Sequence, residues 1–391
     1  MITPKLAVRN LLGAGTKTWL NAVILSLAFV AIIWGQSLFK GLDEEATRNM
    51  VATEIGGGQY WMDAYDPYDP FSLEKAHALL PGPLAASASE GDAAPILIVQ
   101  GTLYPRGRVL PVLLKGIDPG QTVLSFPSAA LRGGGQAVAA LIGARMAKNA
   151  GLAKGDTATV RWRDAKGTFD ARDIVVIETF ATTIQSIDSG QIWLPLEDLR
   201  SMAAMPGEAT IAVIRTGGKP AADVPGWVFR DVGFLKKDID ELVKTKSIGA
   251  SIFYTLLMFL ALLAVFNTQV LAIFRRRKEI GTMMALGMTR GRLIGLFTFE
   301  GALQSILAVA LGAIYGVPLL ALFKAHGWSF PAEQMDGWGI AIGNVLYPAY
   351  SAGLVLGTAA LVFISTTIVS YLPTRKISKL KPTEALKGRL P

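Results

Sequence analysis

The chain has 391 residues, of which 51% are hydrophobic and 17% charged, with a formal net charge of +8. Soluble globular chains carry about 25% charged residues, so this composition excludes an ordinary soluble protein. The absence of cysteine excludes a disulfide framework or a thiolate metal site, and two histidines, His77 and His326, give no basis for a histidine metal centre or a catalytic triad.

The charge is concentrated. Residues 1–17, 275–292 and 373–391 carry fifteen basic residues and two acids, whereas residues 40–246 carry 22 basic and 25 acidic residues. Lys and Arg resist translocation across a membrane, so short basic segments stay on the cytoplasmic side. The basic excess is therefore an orientation signal, and no nucleic acid partner is implied.

Residues 1–17 place Leu6, Val8, Leu11 and Leu12 among Lys5, Arg9 and Lys17. That pattern fits either an amphipathic elbow on the inner leaflet or a plain basic flank. Trp19 to Phe39 is uncharged and long enough to cross a hydrocarbon core of about 30 Å. It is longer than a signal-peptide core, and no small-residue cleavage site follows it, so the first span (18–39) is expected to be a retained anchor.

Residues 40–246 read as a large α+β periplasmic domain between the first and second spans. Leu42, Ala46 and Met50 extend the first helix outward, and Leu235, Ile239, Leu242 and Val243 lead back into the second, so two stalk helices are expected. Between them, Ile96–Tyr104 and Val109–Ile117 predict a hairpin across the turn at Pro105–Arg108. A helix is expected from Leu141 to Asn149, strands at Thr157–Arg163, Phe169–Phe180 and Gln191–Pro195, and a helix at Leu196–Met202. The Gly, Ala, Pro and Ser content of Leu80–Ala94 predicts a mobile loop. Tyr60, Trp61, Tyr65, Tyr68 and Phe71 cluster within twelve residues. They predict either core packing or a lining for a lipid-like ligand, with Tyr60, Trp61 and Tyr68 the substrate-binding candidates.

Three more spans follow, at 247–274, 293–323 and 346–372, with the last starting near Pro348. A periplasmic loop at 324–345 separates the third from the fourth. Trp328, Trp338, Tyr347 and Tyr350 suit an interfacial aromatic belt. The fold class is thus an α-helical membrane protein with four transmembrane helices, both termini cytoplasmic, and one outer domain. Glu300 is the one ionisable residue well inside a span. Such a residue is costly, so it is either functional or hydrogen-bonded inside the bundle near the interface.

No phosphate-cradling loop, zinc-protease helix or paired carboxylate constellation occurs, and Leu131–Gln136 is a turn rather than a nucleotide-binding signature. No cofactor is expected in this chain, and nothing argues for catalysis. The segment 275–292, between two spans, mixes six basic residues with Ile280, Met283, Met284, Leu286 and Met288. An apolar knob among charges, with adaptable methionines and with glycines for tight turns, predicts a protein-docking surface.

Those residues also carry a family likeness. Arg277-Lys278-Glu279-Ile280-Gly281, then Ala285-Leu286-Gly287, then Glu300, resemble the FtsX-like permease domain. Leu6–Leu11 and the ending Pro373, Leu380, Pro382, Glu384-Ala385-Leu386, Lys387 resemble the two ends of that family. Ile142-Gly143 to Gly155-Asp156, and Ile192–Leu199, resemble a MacB-type periplasmic core. The layout is closest to lipoprotein-releasing and stand-alone MacB-like permeases. The resemblance implies a bacterial inner-membrane, mechanotransmitting ABC transporter subunit. Its partners would be a cytoplasmic ATPase dimer holding ATP and magnesium, a second permease subunit, membrane lipids, and a periplasmic adaptor or lipoprotein acceptor. It implies ATPase coupling through Arg277, Lys278, Glu279, Ile280, Gly281, Met284, Leu286 and Gly287. A lipoprotein or lipid-like substrate is the first expectation; efflux of small molecules or peptides, and regulation of cell-wall hydrolases, are the alternatives.

Overall fold

The computed structural model describes residues 16–133, 137–180, 188, 190–220, 224–329 and 345–375. Most of the elbow at 1–17, the centre of the loop at 324–345 and most of the tail at 373–391 lie outside the described residues. By internal contacts the chain divides into two units. One comprises the residues up to Leu42 with Leu242–Ser329 and those from Val345 onward; the other comprises Asp43–Glu241.

In the first unit, four helices among the described residues are long and apolar enough to cross a membrane. They are α1 (Thr16–Met50), α6 (Lys237–Arg275), α8 (Arg290–His326) and α9 (Ala352–Thr374). Over its apolar window α1 is 56% buried, against 17% for each of the others, so α1 is the core helix of the bundle. Leu25, Phe29, Val30 and Ile33 of α1 pack with Met258 and Ala261 of α6, Ala308 of α8 and Val362 of α9. The contacts are close because small residues permit them: a Cβ added at Gly316 would lie 2.8 Å from Val30 Cγ2, and one at Gly301 would lie 2.0 Å from Ser370 Oγ. Pro348 falls before α9. The chain enters that helix at Ser351, whose side chain accepts a bond from Leu354 N, so α9 starts later than the sequence suggests.

The short helix α7 (Arg277–Ala285) separates α6 from α8. Arg276 leaves helical geometry at φ −94°, ψ 18°. Gly287 at φ +93° closes the other end, where its amide bonds Met284 O and the Met288 amide bonds Met283 O. Glycine suits that left-handed position because it has no Cβ. Thr289 then caps α8.

The second unit is built on a nine-stranded sheet in the order β11-β1-β10-β3-β4-β8-β5-β7-β6, with β3 also paired to β6. The strands are β1 (Gln59–Met62), β3 (Ala93–Tyr104), β4 (Leu110–Ile117), β5 (Val138–Gly143), β6 (Thr157–Arg163), β7 (Phe169–Phe180), β8 (Gln191–Pro195), β10 (Ile211–Ile214) and β11 (Trp227–Arg230); β2 (Ala78–Leu79) and β9 (Glu208–Ala209) form a separate pair. The β3–β6 pairing closes β3, β4, β8, β5, β7 and β6 into a ring. β3 is long enough to serve twice: Ala93–Ile96 pair with β10, and Gly101–Tyr104 pair with β6. Inside the ring, Leu97, Leu103, Leu114, Val160, Trp162 and Ile192 pack under α3 (Ala144–Ala150) and α4 (Leu196–Ala203).

Two local expectations differ from the structure. Residues 82–89 form a helix, α2 (Gly82–Ser89), not a loop: alanine is the best helix former, Pro83 occupies the first turn, and Leu84 is fully buried. Leu141, Ile142 and Gly143 end a strand instead of opening a helix, and α3 begins at Ala144. A short, wholly apolar run has no period to distinguish the two states.

Candidate functional site

The elbow around α7 is the best-defined candidate site among the described residues. α6, α7 and α8 meet on a small apolar cluster of Ile273, Ile280, Leu293 and Phe297, with Met283, Met284 and Met288 packed against it. Ile280 is fully buried, and Met283, Met284 and Met288 are half-buried. The apolar knob expected from the sequence is therefore corrected: most of it seals the helices together, and Leu286, 83% exposed, is the one large apolar side chain of the set left outward. Arg277 is half-buried with its guanidinium over the Phe274 ring, Lys278 and Glu279 are exposed, Gly281 is buried, and Gly287 is exposed in its turn.

Arg276, which the sequence did not single out, organises this elbow. Its Nε donates to Glu279 at 2.7 Å, and its Nη1 lies 3.2 Å from both carboxylate oxygens of Glu300. The guanidinium also sits 5.1 Å from the Phe297 ring centroid. Glu300 is only 7% exposed, and its pairing with Arg276 offsets the cost of a carboxylate inside the bundle. A lone acid in an apolar run signals that a cation must come near. The sequence offers Arg275, Arg276, Arg277, Lys278, Arg290 and Arg292 without choosing among them.

The aromatic candidates do not converge. Successive strand residues face opposite sides of a sheet. Tyr60 therefore packs with Leu84, Trp227 and Phe229, while Trp61 packs with Tyr65 among Ile96, Leu131 and Trp193 on the other face. Tyr68 is exposed and donates to Asp238; that bond first, then burial and nearby acids, push its phenol up to about 12. A single lining by Tyr60, Trp61 and Tyr68 is thus corrected.

A cavity of about 760 Å³ lies instead on the outer surface of the strand ring, beneath residues 65–74. Cross-strand register puts Leu113, Gln100, Thr102, Arg161, Arg163 and Phe169 on its floor. Tyr65 forms part of its wall, and burial pushes that phenol up from its ordinary value. Arg163 pairs with Glu74 at 2.7 Å, and Arg161 lies over the Phe169 ring at 4.4 Å. The volume falls within the range of small-ligand clefts. Among the described residues no group of three or more His, Asp or Glu could hold a metal.

Four membrane-length helices, a clamped elbow between the second and third, and a separate α/β body between the first and second define a polytopic membrane protein with a large extramembrane insertion. Residues 251–382, about a third of the chain, match the FtsX-like permease C-terminal family. The chain is similar to MJ1507 of Methanocaldococcus jannaschii, described as an uncharacterized ABC transporter permease, at 26% identity over 31% of this chain and 28% of that protein. It is similar to the macrolide export ATP-binding/permease protein MacB of Campylobacter fetus at 25% identity, over 56% of this chain and 32% of that protein. It is also similar to the uncharacterized ABC transporter permease YknZ of Bacillus subtilis at 28% identity, over 32% of this chain and 27% of that protein. The chain thus spans about a third of the length of these relatives. Among solved structures, the extracellular domain of a YknZ from Gram-positive bacteria aligns with 41% of this chain and 83% of its own length, at a TM-score of 0.26 and 13% identity.

Proposed function

We propose that this chain is the membrane subunit of an ABC transporter in the bacterial inner membrane, powered by a separate cytoplasmic ATPase dimer that binds ATP and magnesium. In this reading both termini and α7 are cytoplasmic, and Asp43–Glu241 is periplasmic. The chain works with a second permease subunit, a copy or a paralogue. The outer body acts on a lipoprotein or lipid-like molecule released from the membrane. The carrying observation is the elbow: a short helix between two membrane-length helices, clamped by Arg276 and Ile280, with Leu286 exposed beside Lys278 and Glu279. A helix fixed on its inner side and presenting one bare leucine among charges suits a partner that pushes on it and covers that leucine.

A second reading, export of a small molecule or peptide with an adaptor, is favoured by the 760 Å³ cavity. Both readings share the docking step. Leu286→Asp in the full-length chain is expected to reduce co-purification of the ATPase at least tenfold while membrane insertion is unchanged. Undiminished co-purification would rule out α7 as the docking point. Photocrosslinking from Phe169 separates the substrate readings: capture of a lipid-bearing molecule supports the first, and capture of an adaptor or a small solute supports the second.

A further inference from the structure

We infer that α8 is the helix that carries the stroke, with Glu300 as its input and Gly312 and Gly316 as its output onto α1. The inference rests on the reading of α7 as the docking point. α7 has two routes into the bundle. Through the chain it reaches α6 across Arg276, where the backbone leaves helical geometry, and α8 across the exposed turn at Gly287. Both connections change the direction of the chain, with a kink at Arg276 and a left-handed glycine at Gly287, so neither continues the axis of α7 into its neighbour. Through space it is tied to α8 by side chains that leave little slack. Arg276 holds Glu279 of α7 and both oxygens of Glu300, and Ile280 is fully buried against Leu293 and Phe297. A planar guanidinium that donates through Nε to one acid and through Nη1 to another is held in orientation as well as distance.

Along α8 the next contacts are equally tight. Thr298 shares a hydroxyl bond of 3.1 Å with Thr374 of α9, and Gly301 leaves no room for a Cβ against Ser370. Further along, Gly312 and Gly316 approach Phe29 and Val30 of α1, where added Cβ atoms would stand 3.0 and 2.8 Å from side-chain carbons. Tyr315 Oη donates to Ser26 Oγ at 3.2 Å. A displacement at Glu300 therefore meets packed contacts up to α1, and α1 continues beyond Leu42 to Met50. Arg276 and Glu300 are positioning residues in this scheme; neither contacts a substrate.

The test uses the full-length chain in lipid nanodiscs, with spin labels at Thr282 of α7 and Ile306 of α8. Without any ATPase, Glu300→Gln is expected to broaden the α7–α8 distance distribution at least twofold, and Gly316→Val to leave it unchanged. No broadening with Glu300→Gln overturns the clamp, whatever docks at α7. With the ATPase present, both variants are expected to keep it bound, unlike Leu286→Asp. Both should lose at least tenfold of the nucleotide-dependent change in labelling of a cysteine at Ser89. Loss of ATPase binding by Glu300→Gln would place Glu300 in the docking surface and overturn its role as input. A full labelling response with Gly316→Val would overturn the output. If the parent chain binds no ATPase, the docking reading fails, while the distance measurement still decides the clamp.

Discussion

Each unit holds a glutamate–cation pair with one partner buried, Lys115 in one and Glu300 in the other, and the two pairs are built differently. In the α/β body, Lys115 of β4 is 5% exposed, lies 3.4 Å from Glu54 and sits over the Trp193 ring at 5.1 Å. Glu54 belongs to the π-helical turn Val51–Ile55 that follows α1, so this pair ties a helix end to a strand. In the bundle, Arg276 bridges two carboxylates from two helices and stacks on Phe297. Lysine is a compact point charge with one acid in reach, whereas arginine is a planar fork that can hold two. The lysine pair can therefore be broken by one substitution, and the arginine clamp can lose one arm and remain charged and paired.

That contrast can be broken or sharpened by substitution. The largest expected effect is Glu54→Gln, which leaves Lys115 buried without its acid; removing one partner of a buried pair costs about 3–5 kcal/mol. Thermal unfolding of the full chain in detergent checks this, and a loss below about 1 kcal/mol would show that water reaches Lys115. Glu300→Gln is expected to cost on the order of 1 kcal/mol, because Arg276 keeps Glu279. A cost equal to that of Glu54→Gln would erase the distinction between the pairs. The smallest effect concerns Asp188, whose carboxylate faces Arg145 at 3.4 Å. Burial is the largest influence and raises its pKa above 3.8, against the lowering influence of Arg145 and of the Ala144 and Arg145 amides. A raised folded pKa gives stability that is complete below the unfolded value and lost as pH rises through the folded one. Asp188→Asn is therefore expected to gain on the parent chain over the window that opens as pH rises past the ordinary carboxylate value of 3.8, read from paired unfolding curves. A loss over that window would mean that Arg145 outweighs burial.

The helices were legible in the sequence because charge is excluded from a hydrocarbon core, so gaps such as Lys246 to Arg275 mark them directly. The strands β3, β4, β6, β7 and β8 were legible from local composition and turns. Ring closure was not, since the pairing of Gly101–Tyr104 with Thr159–Trp162 joins segments far apart in sequence. The four-residue strands β1, β10 and β11 were also missed, because they are too short for a period to emerge. At the candidate site, residue type was legible and orientation was not. The methionines of 283–288 look like a surface in one dimension, and only the meeting of three helices turns them inward. Arg276 differs from its neighbours Arg275 and Arg277 by one step around a helix, a difference that sequence alone does not weigh.

The place of β1 has a consequence for how the chain is made. The first strand after α1 lies between β10 and β11, pairing with Ala212 and Phe229 at Tyr60. Its partners leave the ribosome about 150 residues later, which at ordinary rates is on the order of ten to thirty seconds of synthesis. Until then Tyr60 and Trp61 have no sheet to join, and the segment must be kept from pairing elsewhere. The ring of β3 to β8 comes from the contiguous segment 93–195 and needs neither β1 nor its partners, so the body matures in two stages. Its two ends are stitched together last, so a nascent chain stopped anywhere before Trp227 carries an unfinished sheet.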